Sequence, residues 1–287
     1  DLEVMIENAV RLTNTAKKGS FMQQSLTVAL YDGQLNFMVT GSVENIKTLK
    51  LIKLAHKVEG EKPTVYIAGD STVASYNVSS KPQAGWGQMI SNYFTDEVVF
   101  VNNAIGGRSS KSFVKEGRLD SILTNIKPGD YLLIQFGHND ASVGNETRYA
   151  APYTTYKKYL KMFVDGARAN GATPVLITPV GRRSYDSEGK FKSDFPDYVA
   201  AMKQVAQEEN VKLIDLTQMS IDYFNSIGVE ATKDVFLWAE PGEYSAFPDG
   251  VQDNTHFQEY GAEQIAGLVV KGIKELNLPI AKYIKQQ

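Results

Sequence analysis

The chain has 287 residues, 43% of them hydrophobic and 22% charged, a composition that fits a globular fold and excludes a disordered or fibrous chain. Thirty Lys and Arg against 33 Asp and Glu leave a net charge of −3. No half of the chain is strongly basic, so nucleic acid is not expected as a partner. There are no cysteines and three histidines, His56, His138 and His256; thiol catalysis, disulfide frameworks and Cys-ligated zinc are excluded, and no metal or other cofactor is expected.

At roughly 150 residues per domain the length allows one large domain or two unequal ones. Up to residue 62, short apolar runs at 26–31 and 35–39 flank Asp32-Gly33, a dipeptide favoured in hairpin turns. Residues 46–54 carry lysines at helical spacing, but the hairpin before them favours a third strand. Residues 1–62 are therefore expected to form a small β-rich unit, too short for a β-sandwich of about 100 residues. Glu59-Gly60-Glu61-Lys62-Pro63 then reads as a linker.

From residue 64 the pattern alternates. Strands are expected at 65–68, 98–102, 131–136, 174–178 and 211–214, and helices at 153–170, 194–209 and 260–276. Short apolar strands separated by amphipathic helices predict a parallel sheet covered on both faces, in a flavodoxin-like, doubly wound α/β domain over residues 63–287. Such sheets bind ligands beyond the carboxyl ends of their strands. No apolar run approaches the roughly 18 residues of a spanning helix, so no membrane partner is expected. The chain opens at Asp1 with no basic-then-apolar leader, as in a mature or trimmed product.

The residues after the strands carry chemistry. Gly69-Asp70-Ser71-Thr72 follows the first, Asn102 to Ser110 with Gly106-Gly107 the second, and Gly137-His138-Asn139-Asp140 the third. Asp253-Asn254-Thr255-His256 precedes the last helix. A serine, a glycine pair, an asparagine, and a histidine with an acid three residues ahead all fall on one expected face. They supply nucleophile, base, base-orienter and oxyanion donors for acyl transfer. The G-x-S-x-G elbow of α/β-hydrolases is absent.

These blocks resemble the SGNH (GDSL) hydrolases. The stretches AGWGQM, NNAIGGRSSKSF, QFGHND, TPVGRRSYDSEGKF and PGEYSAFPDGVQDNTHF are similar to rhamnogalacturonan acetylesterases, secreted deacetylases of pectic polysaccharide, over residues 64 to 275. The resemblance implies Ser71 as nucleophile, His256 as base and Asp253 as its orienter. It implies an oxyanion hole from the Ser71 N–H, a glycine N–H (Gly107, with Gly106 as fallback) and the Asn139 amide. It further implies an acetylated polysaccharide as partner and an extracellular location; the chain itself is expected as a monomer or weak homo-oligomer. An acetylxylan esterase or a lipase-like member of the superfamily is the nearest alternative, and a carbohydrate-binding module at residues 1–62 an alternative of another class. The run LTVALYDGQLNFMVTGSVENIKTLKLIKL resembles the second half of a galactose-binding-type β-sandwich.

Other residues have plainer roles. Asp70 is expected to brace the nucleophile loop, His138 and Asp140 to orient Asn139, His56 to lie at the surface, and Trp86 to be core. Arg108 fits either a uronate carboxylate or loop carbonyls. Trp238, Tyr244 and Phe247, in the long segment before Asp253, are candidates for stacking on sugar.

Overall fold

The computed structural model of the chain describes residues 2–286 apart from 8, 15–18, 32, 33 and 56, so the Asp32-Gly33 turn and His56 lie outside the described residues. At the N-terminus, β1 (Leu2–Ile6), β2 (Ala9–Asn14) and β3 (Phe37–Gly41) form an antiparallel sheet in the order β2-β1-β3. This differs from the strands expected there. Of those, only the run at 35–39 overlaps an observed strand; 26–31 and 46–54 are not in strands. Leu49, Leu51 and Ile52 are 58%, 67% and 69% exposed. Their apolar content lacks the cross-strand neighbours that make a strand stable. The real pairing uses the alternation of Leu2, Val4 and Ile6, with Glu7 at a left-handed φ of 51° at the turn.

The larger part of the chain runs β4 (Thr64–Gly69), β5 (Gln83–Ala84), α1 (Trp86–Met89), β6 (Val99–Asn102), α2 (Ser110–Lys115), α3 (Arg118–Leu123) and β7 (Tyr131–Gln135). It continues with α4 (Lys157–Ala169), β8 (Thr173–Ile177), α5 (Pro196–Glu208), β9 (Lys212–Ile214), α6 (Leu216–Ala231), β10 (Phe236–Ala239), β11 (Val251–Gln258) and α7 (Glu259–Glu275). Five strands pair in parallel in the order β6-β4-β7-β8-β9. Counted along this sheet that is the flavodoxin-like order, with its switch point between β4 and β7.

Side chains of the central strands alternate between two cores. Val65, Ile67, Leu133, Val175 and Ile177 pack into one. Ala68, Leu132, Ile134 and Leu176 pack into the other. Burial on both faces explains why these strands read as unbroken apolar runs. Helix α7 closes the first core with Ala262, Ile265, Ala266, Val269, Val270 and Ile273, one face at helical spacing. Its first turn carries Gly261, where a Cβ would stand 1.9 Å from the Val235 carbonyl oxygen, so only glycine lets the helix approach the start of β10. A second small sheet, β10-β11-β5, is antiparallel and carries the segment that the sequence suggested as a loop before the last helix.

Candidate active site

The nucleophile turn is fixed by buried polar groups immediately beyond β4. Asp70 Oδ1 accepts the Thr72 backbone N–H at 2.9 Å and the Thr72 hydroxyl at 2.8 Å, an Asx-type turn that exposes the intervening Ser71. Gln135, at the end of β7, donates from Nε2 to Thr72 Oγ1 at 2.8 Å and accepts the Trp86 indole N–H at 2.8 Å. Tyr76 donates its hydroxyl to the Ser71 carbonyl at 2.8 Å. Asp70 and Thr72 are wholly buried, so each of these bonds replaces water that cannot enter. Burial acts to raise the Asp70 carboxyl, but the neighbouring His138 and the Thr72 donors outweigh it and hold the group below the ordinary carboxylate range. His138 Nδ1 lies 3.3 Å from Asp70 Oδ2 in a poorly aligned contact that is electrostatic rather than a well-formed hydrogen bond.

Asp253 and His256 stand on β11. The ladder with β10 slips there: Phe236 faces Phe257, whereas Leu237 faces Asp253. Residues 254–256 thus bulge out of the ladder toward the nucleophile. The Asp253 carboxylate organises this bulge. Its Oδ1 accepts the backbone N–H groups of Thr255 and His256 at 2.7 and 3.0 Å, and its Oδ2 meets His256 Nδ1 at 2.7 Å. His256 Nε2 is 2.8 Å from Ser71 Oγ. An ionised carboxylate only accepts, so Nδ1 carries the ring hydrogen and Nε2 is left to accept from the serine. Desolvation pushes the Asp253 carboxyl up, yet the ring and backbone donors of His256 and the Thr255 N–H prevail and set it at about 2. The acid stays ionised at neutral pH.

The loop after β6 reaches the same place. A Cβ on Gly106 would lie 3.6 Å from Ser71 Cβ, and Gly107 takes a left-handed φ of +76°. Glycine adopts that conformation without strain. Asn139, beyond β7, donates from Nδ2 to the Arg108 carbonyl at 3.1 Å, which joins the two loops. Asp140 secures their base: it accepts Ser110 N–H at 3.0 Å and Ser110 Oγ–H at 2.5 Å at the start of α2. Complete burial, reinforced by the Asp70 charge and opposed by the Ser110 donors, pushes Asp140 up to about 7.

Ser71, His256 and Asp253 are thus in direct contact, and the loops that carry Gly107 and Asn139, beyond the carboxyl ends of β6 and β7, meet beside Ser71. Arg108 is otherwise engaged: its Nε faces the Glu116 carboxylate at 3.1 Å and its Nη1 donates to the Gly106 carbonyl at 2.9 Å. Trp238 lies on β10 opposite Gln252, with the Arg183 guanidinium 4.7 Å from its ring centroid and its indole N–H donated to Asn254 Oδ1 at 3.0 Å. Tyr244 bridges Phe247 in the turn between β10 and β11. Trp86 is fully buried, as core. Sequence reasoning missed Gln135 and Tyr76. A glutamine ending the buried run YLLIQ is a readable signal, since a polar side chain inside a sheet must find partners. Among the described residues, no three or more His, Asp or Glu side chains converge as a metal-binding group.

A parallel sheet with a strand-end serine, a histidine held by a nearby aspartate, and glycine and asparagine loops beside them defines an ester hydrolase, and the chain belongs to the GDSL-like lipase/acylhydrolase family, whose model matches residues 65–269. It is 50% identical over 220 residues to the probable rhamnogalacturonan acetylesterase YesY of Bacillus subtilis, covering 77% of this chain and 96% of that protein. It is 44% identical to the rhamnogalacturonan acetylesterase RhgT of the same organism, covering 77% and 93%. The crystal structure of YxiM from Bacillus subtilis superposes with a TM-score of 0.66 at 31% identity, covering 97% of this chain and 75% of that one.

Proposed function

We propose that the protein removes O-acetyl groups from rhamnogalacturonan by a Ser-His-Asp acyl-enzyme mechanism. The observation that carries this reading is the continuous relay from Asp253 Oδ2 to His256 Nδ1 (2.7 Å) and from His256 Nε2 to Ser71 Oγ (2.8 Å). The names of the relatives YesY and RhgT support the substrate.

Ser71 Oγ attacks the acetyl carbonyl carbon while His256 Nε2 takes the hydroxyl proton. The carbonyl oxygen becomes an oxyanion that accepts from the backbone N–H groups of Ser71 and Gly107 and from Asn139 Nδ2. Collapse of the tetrahedral species breaks the ester bond, and His256 returns the proton to the departing sugar oxygen. Water, deprotonated by His256, then attacks acetyl-Ser71; collapse of this second tetrahedral species breaks the bond to Ser71 Oγ, which takes the proton back from His256 as acetate leaves. Asp253 keeps the imidazole in the required tautomer and stabilises the imidazolium formed in each half-reaction.

In this reading residues 63–287 form the catalytic part, and residues 1–62 a β-rich unit before it. A wall polysaccharide is too large to enter a cell, which favours action outside it. Acetate release from acetylated rhamnogalacturonan and from acetylated xylan tests the substrate: the pectic polymer is expected to be the better one, and preference for xylan refutes it. A fluorophosphonate is expected to label Ser71 and no other serine; labelling elsewhere overturns the mechanism.

A further inference from the structure

We propose that Arg148 forms a carboxylate-binding subsite beside the oxyanion loop and reads the galacturonate charge of the substrate. This rests on the pectic reading above and adds the residue that would recognise the acid.

The loop after β6 divides at its glycine pair. The position a Cβ would take on Gly106 faces Ser71 Cβ at 3.6 Å. The corresponding position on Gly107 faces the Arg148 guanidinium, 3.1 Å from Nη2, 3.5 Å from Cζ and 3.8 Å from Nη1. A cation therefore lies against the residue next to the one that touches the nucleophile, and any side chain at 107 would press on it.

The guanidinium has no hydrogen-bond or ion-pair partner among the described residues, although Arg148 is half-buried. Arg108 is neutralised by Glu116 and held by the Gly106 carbonyl. Of the two arginines at this loop, Arg148 is the one left to meet a ligand anion. A partly desolvated guanidinium with its donors unused is matched by a carboxylate, which it binds with two parallel N–H···O bonds.

The position is also fixed in advance. Asn145 N–H donates to the Ser142 carbonyl at 3.0 Å, and the Arg148 and Tyr149 N–H groups donate to the Asn145 carbonyl at 3.1 and 2.7 Å. Lys111 Nζ ties the segment to α2 through the Glu146 carbonyl at 2.5 Å. Ala150 N–H donates to the carbonyl of Asp140, next to the candidate oxyanion residue Asn139. The backbone that carries Arg148 is thus continuous with the loop that carries Asn139, so a uronate held by the arginine would be registered against the acyl site.

The test is a specificity ratio, kcat/KM on acetylated rhamnogalacturonan divided by kcat/KM on p-nitrophenyl acetate, which has no carboxylate. Arg148→Gln should lower this ratio about ten- to a hundredfold, the loss expected for hydrogen bonds to a charged group. Most of the fall should lie in KM for the polymer. Arg148→Lys should restore part of the ratio, and wild-type KM for the polymer should rise with salt more steeply than that of Arg148→Gln. An unchanged ratio, whether both activities hold or both fall together, overturns the subsite; a joint fall would place the cation at the oxyanion instead. Failure of the pectic reading is separate, since it shows in the wild type as a preference for acetylated xylan. Thermal unfolding of each variant checks that the fold is kept.

Discussion

Replacing Asp253 by Asn separates the two tasks of that side chain. Asparagine retains an Oδ1 that accepts the Thr255 and His256 N–H groups, bonds now 2.7 and 3.0 Å long, so the bulge in β11 should persist. At the second position the amide NH2 replaces the Oδ2 that lies 2.7 Å from His256 Nδ1. An amide donor there forces the ring hydrogen onto Nε2, which then cannot accept the Ser71 proton, and the imidazolium loses its counter-charge. The corresponding change in serine proteases lowers kcat by about 10⁴, or roughly 5.5 kcal/mol at about 1.36 kcal/mol per tenfold. Asp253 is partly exposed, so solvent supports part of the charge and a fall of about 10²–10⁴ is expected. The assay is steady-state hydrolysis of p-nitrophenyl acetate together with the rate of fluorophosphonate labelling. A variant within tenfold of wild type in both refutes the tautomer argument. A second readout is acid stability. The Asp253 carboxyl is lowered from 3.8 to about 2 on folding, worth on the order of 1 kcal/mol after screening by solvent. A depressed carboxyl contributes that stability fully above pH 3.8 and loses it as pH falls toward 2, so the wild-type unfolding curve should steepen there and the variant's should not.

Ser71→Ala should abolish acetate release and leave the melting temperature within a degree or two, and turnover near wild type would remove Ser71 from the mechanism. Gly107→Ala must hold a methyl group at φ +76° and 3.1 Å from Arg148 Nη2; steady-state kinetics should record a loss of about 10²–10³ in kcat as the amide moves off line. Trp86→Phe strands the buried Gln135 Oε1 and should lower stability by about 1–3 kcal/mol in urea unfolding. The Asp140 carboxyl, raised to about 7, binds its proton more tightly in the folded state. Its effect is a destabilisation absent below pH 3.8, growing as pH rises and complete above pH 7. Asp140→Asn should therefore flatten the fall of the melting temperature between pH 5 and pH 8, and an unchanged slope refutes this.

The five strands of the parallel sheet were readable to within one or two residues because burial on both faces makes each an apolar run with a helix after it, as in 131–136 against Tyr131–Gln135. The site blocks were readable for a related reason: the topology places chemistry at strand ends, so Ser71, Gly107 and Asn139 each stand after a strand. The β10–β11 hairpin was not. It carries the polar run Gln252 to Thr255, alternately exposed and half-buried, which has the composition of a loop although it lies within a strand. Helix α6 was also missed; Gly228, at φ 82°, interrupts it and hides its length. The N-terminal strands went wrong because apolar content at 46–54 marks a strand only when a partner lies beside it. Arg148 had no signature at all, since its relation to Gly107 arises from the path of the backbone and not from spacing.

The arrangement on β11 bears on how such a protein changes over generations. The base and its orienter are three residues apart and are held by one carboxylate, whereas the nucleophile is 185 positions away. The turn at 240–250, between β10 and β11, can be lengthened, shortened or exchanged without separating the pair, because the bonds that shape the pair lie within residues 253–256. New surface can therefore be tried at this turn while the His256–Asp253 pair is inherited intact.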